Sequence, residues 1–202
     1  MSEVILLSGG IESTTLLHMQ YTQGELLPVF IDYGQRAGAQ EHHAALTQCA
    51  QLGLKLKKLD MAQAGHDFRA GQSKKLHVPL PHRNLIALSL GLSYATQMDA
   101  ERLYLALNLE DTLAYPSASE AFISQFQALA KVLGKVNIAA PLSTCTKAQI
   151  IQRGVALNVN YQQTYSCLLG YPLHCGHCPQ CQHRQAAFKV AGLSEPPGFY
   201  RA

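Results

Sequence analysis

Residues 4–15 read Val4-Ile5-Leu6-Leu7-Ser8-Gly9-Gly10-Ile11-Glu12-Ser13-Thr14-Thr15, with Leu16-Leu17-His18-Met19 following. The unbroken apolar run at the start predicts a short buried strand. The small residues after it predict a turn, and Ser13 to Gln23 a helix. Two glycines, several hydroxyls and one carboxylate in such a turn suit an anionic ligand. Glycine lets backbone amides come close to a phosphate. Serine and threonine add donors, and the helix N-terminus adds its dipole. The plainer reading is a helix cap, a Gly-Gly turn with Ser or Thr capping the helix. The stretch lacks the Gly-Lys-Ser/Thr ending of one common nucleotide loop. It also lacks the spaced glycines of the dinucleotide fingerprint.

Outward from this turn, short apolar strands alternate with longer helical patterns. Strands are expected at 4–7, 27–31, 54–59, 102–107 and 136–139. Helices are expected at 13–23, 39–52, 83–98, 119–133 and 146–157. The helix at 83–98 is apolar nearly all round and so well buried. Alternation of this kind predicts an α/β fold, a parallel sheet with helices on both faces. Such sheets bind ligands beyond the carboxyl ends of the strands, where the Ser8–Ser13 turn lies. A polar stretch from Met61 to Pro81, with Gly65, Gly71, Lys74, Lys75 and Pro79, predicts a long loop.

The chain has 202 residues, enough for one domain with at most a small appendage. Hydrophobic residues at 48% and charged residues at 14% exclude a disordered chain. A net charge of +3 is too mild to argue for nucleic-acid binding. No apolar run approaches the ~20 residues of a membrane span. The N-terminus reads as a strand with no basic leader, so a cytoplasmic protein is expected. A homodimer is the expectation for a parallel-sheet enzyme of this size.

Four of the six cysteines, Cys167, Cys175, Cys178 and Cys181, crowd into one short segment. Two overlapping C-x-x-C steps bring three sulfurs together, and Cys167 can fold back as the fourth. Four thiolates suit tetrahedral Zn²⁺ in a closed, structural site. An iron–sulfur cluster or a redox pair is the other chemistry such a cluster serves. His174 and His177 stand nearby and could compete as ligands, but four cysteines already close the site. Cys49 and Cys145 read as core. The expected division is a main domain at 1–160 and a zinc-binding segment at 161–202 packed on it.

The turn Ser8-Gly9-Gly10-Ile11-Glu12-Ser13 resembles the pyrophosphate loop of the N-type ATP pyrophosphatases, Ser-Gly-Gly-any-Asp-Ser. Further strings resemble the 7-cyano-7-deazaguanine synthase family in particular. They are Asp32-Tyr-Gly-Gln-Arg36, Pro81-His-Arg83-Asn84, Ser143-Thr-Cys-Thr-Lys147 and Tyr165-Ser-Cys167. Cys175-Gly-His-Cys178-Pro-Gln-Cys181 and Arg184-Gln-Ala-Ala-Phe188 complete the match, which runs nearly end to end. The resemblance implies an adenine nucleotide alpha hydrolase-like, Rossmann-like fold. It implies an AMP-forming carbon–nitrogen ligase that turns 7-carboxy-7-deazaguanine and ammonia into the nitrile, through an acyl-adenylate and an amide, for queuosine. It further implies ATP held by Leu7, Ser8, Gly9, Gly10, Ile11, Glu12, Ser13, Thr14, Thr15, Leu16 and Leu17, with Asp32, Tyr33 and Mg²⁺. Arg83, Asp111 and Lys147 would be catalytic. Arg36, Asn84, Asn108, Tyr115, Ser117 and Ser119 would face the substrate, and the four clustered cysteines would hold zinc. The chain departs from the family at three of these positions. Glu12 replaces Asp, Ser117 replaces Asp, and Ser119 replaces Arg. The last two leave open a synthase-like paralogue that takes another acid or amine, and Glu12 a non-catalytic nucleotide-binding protein.

Overall fold

A computed structural model describes residues 2–71 and 80–201. Lys74, Lys75 and Pro79 of the expected loop lie outside the described residues. Five strands form one parallel sheet in the order β3-β2-β1-β4-β5. They are β1 (Ser2–Leu6), β2 (Glu25–Asp32), β3 (Lys57–Asp60), β4 (Arg102–Tyr104) and β5 (Asn137–Ala139). All pairings are parallel, with Val4 opposite Leu27 on one side and Leu103 on the other.

The strand order explains where the helices go. The chain first moves outward from β1 to β3, then returns to β4 on the other side of β1. Right-handed crossovers therefore place α1 (Ile11–Gln20) and α2 (Gly38–Gln51) on one face. They place α4 (Arg83–Gln97) and α6 (Glu120–Leu133) on the opposite face. The pleat of β1 matches this division. Ile5 and Leu7 belong to a cluster with Leu16, Leu17, Ile150, Ile151 and Phe188. Val4 and Leu6 belong to another with Leu88, Leu103, Phe126 and Ile138. Burial of β1 on both faces is why its sequence is an unbroken apolar run and not an alternating one.

Three elements differ from the sequence expectation. The stretch read as one long loop contains α3 (Ala62–Arg69). Its Gly65 is the reason it reads as a loop: a Cβ there would lie 1.7 Å from the Tyr33 carbonyl oxygen, so close packing requires glycine inside a helix. A short α5 (Leu109–Ala114) follows β4, with Asn108 as its N-cap. After α7 (Lys147–Ala156), the C-terminal segment carries α8 (Pro179–Val190). Ala187 and Phe188 of α8 enter the main core beside Tyr161. The cysteine segment forms a third cluster against Ala37 and Ala44 of the α2 region.

Candidate active site

The strand order reverses between β1 and β4, and the carboxyl ends of these two strands face a cleft of about 320 Å³. Ser8, Gly10, Glu12 and Ser13 come to it from the β1–α1 turn. Tyr33, Gln35, Arg36 and Glu41 come from beyond β2, Arg83 and Asn84 from α4, and Lys147 from α7.

The turn is built as the glycines require. Gly9 has φ +75°, and a Cβ on it would lie 2.5 Å from the Glu41 carbonyl oxygen. Only glycine allows this backbone to press against α2 in that conformation. Gly10 is the N-cap of α1, and no side chain caps the helix. The hydroxyls of Ser8 and Ser13 lie 3.0 Å apart, and the Ser8 amide donates to Ser13 Oγ at 3.2 Å. The plain-cap reading is therefore not what the turn does. Its serines bond to each other at the mouth of the helix and do not cap it, and the Gly10 amide donates to Ser8 Oγ at 3.4 Å; a helix start without a side-chain cap is the arrangement that receives an anion. Thr14 Oγ1 is fully buried one turn further in and has no hydrogen-bond partner among the described residues. Thr15 donates to the Ile11 carbonyl and bonds to the Tyr161 hydroxyl at 2.7 Å, while Leu7, Ile11, Leu16 and Leu17 are core.

Glu12 is the centre of the charged part of the site. Its Oε1 receives Lys147 Nζ at 2.9 Å and Asn108 Nδ2 at 2.7 Å. Burial opposes its charge, but the Lys147 ammonium and these hydrogen bonds hold its pKa below the ordinary carboxylate value. Burial likewise opposes the Lys147 charge, while Glu12, Asp111 and Glu110 together keep its pKa above the usual one. Asp111 is pushed up by burial and by the nearby Glu12 charge. Local structure fixes these positions. Asn108 Oδ1 caps α5 by accepting from the Asp111 amide at 2.7 Å, which leaves its amide nitrogen to donate to Glu12. Lys147 opens α7 behind a Thr146–Gln149 capping box, and its own amide donates to the Glu110 carboxylate.

Arg83 donates to the Tyr33 hydroxyl at 3.0 Å and lies 5.7 Å from its ring centre. Asp32 accepts from the Gly34 amide at 3.0 Å and pairs with Lys58 at 2.8 Å. Asn84 donates to the Ser117 carbonyl at 3.0 Å. Ser119 caps α6 by accepting from the Phe122 amide at 3.2 Å, and Tyr115 is half exposed. Of the six residues expected to face substrate, Arg36 and Asn84 line the cleft; Asn108, buried behind Glu12, does not, nor do Tyr115, Ser117 and Ser119. Two carboxylates of the site, Glu41 and Glu110, are absent from the sequence-based set. Each sits beside a helix start, where an acidic residue reads as a dipole partner and signals nothing more.

The four clustered cysteine sulfurs all lie within 4.8 Å of one another, and all four residues are buried. Tetrahedral thiolate ligation at ~2.3 Å spaces sulfurs about 3.8 Å apart, and Cys175 and Cys181 Sγ are separated by 3.9 Å. Burial raises Cys175, yet backbone amides of His177 and Cys178 donate to its sulfur and bring it down to about 7. The donor set thus fits a metal ion. His174 is not a ligand: Nε2 accepts from the Ser166 amide, and the ring stacks on Phe199 at 4.4 Å. The cluster is joined to the turn, because the Tyr165 amide donates to the Gly9 carbonyl at 2.9 Å. Arg184, wholly buried, ties the segment together through Thr164, Ser166, the Tyr161 carbonyl and Glu195.

At the switch point of the sheet, the glycine turn, the uncapped start of α1 and Lys147 form a cleft suited to an anionic ligand. Solved structures agree on the fold. The U34-tRNA thiolase NcsA of Methanococcus maripaludis superposes with a TM-score of 0.61 at 16% identity, over 94% of this chain and 64% of that one. The NMN synthetase of Francisella tularensis gives 0.57 at 16% identity, over 96% and 78%. A model of the family described as queuosine biosynthesis protein QueC matches residues 2–192, and the chain belongs to this family. Among curated relatives, the 7-cyano-7-deazaguanine synthase of Methanothermobacter thermautotrophicus is 30% identical over 98% of this chain and 99% of its own. That of Trichormus variabilis is 34% identical over 97% of each.

Proposed function

We propose that this protein converts 7-carboxy-7-deazaguanine and ammonia to 7-cyano-7-deazaguanine, consuming ATP and releasing AMP and pyrophosphate. The observation that carries the proposal is the open N-terminus of α1 beside the Lys147–Glu12 pair in one cleft. A carboxylate is a poor electrophile, and an acyl-adenylate supplies the leaving group that ammonia displaces. Forming it requires the pyrophosphate to be held as charge builds up on it. The amides of α1 and the Ser8 and Ser13 hydroxyls would grip that group. Lys147 and Arg83 would meet its charge and that of the substrate acid. Glu12 and Asp111 are the carboxylates that would hold Mg²⁺, whose chemistry there is neutralisation of phosphate charge. The four cysteines would hold Zn²⁺ structurally, because a site closed by four thiolates leaves no position for a reacting water. Asp32, Tyr33 and Arg36 would line the way to nucleotide and substrate. We place the protein in the cytoplasm, a compartment that suits six free cysteines.

One observation favours a second reading. Ser117 and Ser119 carry no charge, and Ser119 is committed to capping α6. A synthase-like paralogue acting on another acid or amine would need no charged groups there. Mass spectrometry of purified protein with 7-carboxy-7-deazaguanine, ATP, Mg²⁺ and ammonium decides between them. Nitrile with AMP and pyrophosphate is the expected outcome. The amide alone would mean a reaction that stops half-way. Absence of AMP and product would overturn the proposal and direct the search to other acids and amines.

A further inference from the structure

We propose that Glu41 is the proton acceptor for nitrogen in this reaction, an assignment that rests on the synthase reading above. The chemistry demands such a group at both stages, for three protons in all. When the ammonia lone pair attacks the acyl-adenylate, a C–N bond forms and the C–O bond to AMP breaks. AMP leaves with that electron pair, and nitrogen must lose a proton. When the amide is adenylated on oxygen by a second ATP, with pyrophosphate leaving, and then expels AMP to become a nitrile, nitrogen loses its two remaining protons. Each proton would go to the Glu41 carboxylate and from there to water.

The cleft provides few groups for this work. Glu12 is engaged by Lys147 and Asn108 and is held as a weak base. Lys147 and Arg83 enter the cleft as cations. Glu41 lies in the wall formed by α2, directly behind the pyrophosphate turn, where its backbone touches Gly9. Its side chain is oriented by an amide that has no freedom to turn. Gln35 Oε1 accepts from the Tyr33 amide at 2.9 Å, and Nε2 donates to the Ile31 carbonyl at 3.4 Å. Nε2 also donates to Glu41 Oε2 at 3.0 Å. With both ends of the amide set by backbone, Gln35 presents only a donor to the carboxylate. This is the base-and-orienter arrangement of general-base sites.

The charged and titratable groups facing Glu41 come from three directions. They are Asp32 and Tyr33 at the end of β2, Arg83 on α4, and Tyr165 before the cysteine segment. Burial pushes Glu41 above the ordinary carboxylate value, and the Gln35 hydrogen bond and the Arg83 charge only partly offset this. Glu12 is held down and Glu41 up within one cleft, and that separation divides an electrostatic carboxylate from a proton-transferring one.

The test uses the full chain, 7-carboxy-7-deazaguanine, and two readouts across pH at constant free ammonia. Acid-dependent exchange of labelled pyrophosphate into ATP reports adenylation alone; amide and nitrile formation reports nitrogen transfer. Glu41→Gln is expected to keep exchange within about tenfold, to lose amide formation by about 100-fold or more, and to abolish the acidic limb of its pH profile. Gln35→Leu is expected to retain exchange and move that limb to higher pH, because a donor to the ionised carboxylate is lost. Its shift decides the matter if Glu41→Gln does not fold. Equal loss of exchange and amide formation in Glu41→Gln, or an acidic limb unmoved in both variants, would overturn the assignment. Wild-type protein with neither exchange nor product would overturn the synthase reading itself and this inference with it.

Discussion

Replacing Lys147 by Met tests the electrostatic heart of the site. The pair with Glu12 closes at 2.9 Å, and both side chains are more than four-fifths buried. At an effective dielectric of about 20, two charges at this distance attract by about 6 kcal/mol. Desolvation of both ions offsets part of this, and truncating one partner of a buried pair costs about 3 kcal/mol net. For a domain of this size that lowers Tm by roughly 6–12 °C. The methionine fills the same volume, so the loss reports charge and not a cavity. The pH dependence follows from the directions of the two shifts. Glu12, depressed in the folded state, stabilises fully above about pH 5 and loses its contribution as pH falls through its folded pKa. Lys147, raised in the folded state, stabilises fully below about pH 10 and loses its contribution as pH rises through its folded pKa. Without the lysine, Glu12 is a buried carboxylate held only by Asn108 and backbone, and its pKa rises. The deficit of the variant is therefore largest at neutral pH and shrinks toward pH 5, where Glu12 takes a proton. Thermal unfolding by circular dichroism at pH 5 and pH 7.5 measures both. A variant within about 1 kcal/mol of wild type at both pH values would refute the reasoning.

Three further outcomes are expected. Gly9→Ala forces a left-handed backbone at a cost of about 1–2 kcal/mol and drives its Cβ against the Glu41 carbonyl; denaturant unfolding should show more than that loss, with pyrophosphate exchange abolished. Cys181→Ser should lose its bound metal by elemental analysis and about 2–5 kcal/mol of stability, by the measure of a lost structural staple; full metal retention would exclude Cys181 as a ligand. Ser119→Ala should cost about 1 kcal/mol through the lost cap of α6 and leave KM for the acid unchanged. A tenfold rise in KM would instead place Ser119 against substrate.

Much of the fold was legible because β1 and its neighbours are buried on both faces, which writes apolar runs that need no context to interpret. All five strands were expected where they occur, with shifts of one to three residues at most of their ends. The clustering of the four thiols was legible for a similar reason, since sulfur spacing along the chain nearly sets sulfur spacing in space. The elements that escaped notice have local sequences that argue against them. α3 contains Gly65, which is there to admit Tyr33. α8 begins with a proline among the clustered cysteines and has polar residues on most of its surface. Ser119 carries the opposite lesson: expected to face substrate, it caps α6 and is absent from the lining of the cleft.

By itself, then, the chain determined a parallel α/β fold, a glycine turn suited to an anion, and a four-thiolate cluster, because each depends on neighbours within a few residues. Only tertiary structure decided that Glu12 meets Lys147, 135 positions away along the chain. It also decided that Tyr165 ties the cysteine segment to Gly9, and that Glu41 is held up by burial while Glu12 is held down. Charge state and pairing depend on dielectric and on distance through space. Neither is a property of a residue type, and both arise only when β1, β4 and α7 converge at the switch point of the sheet.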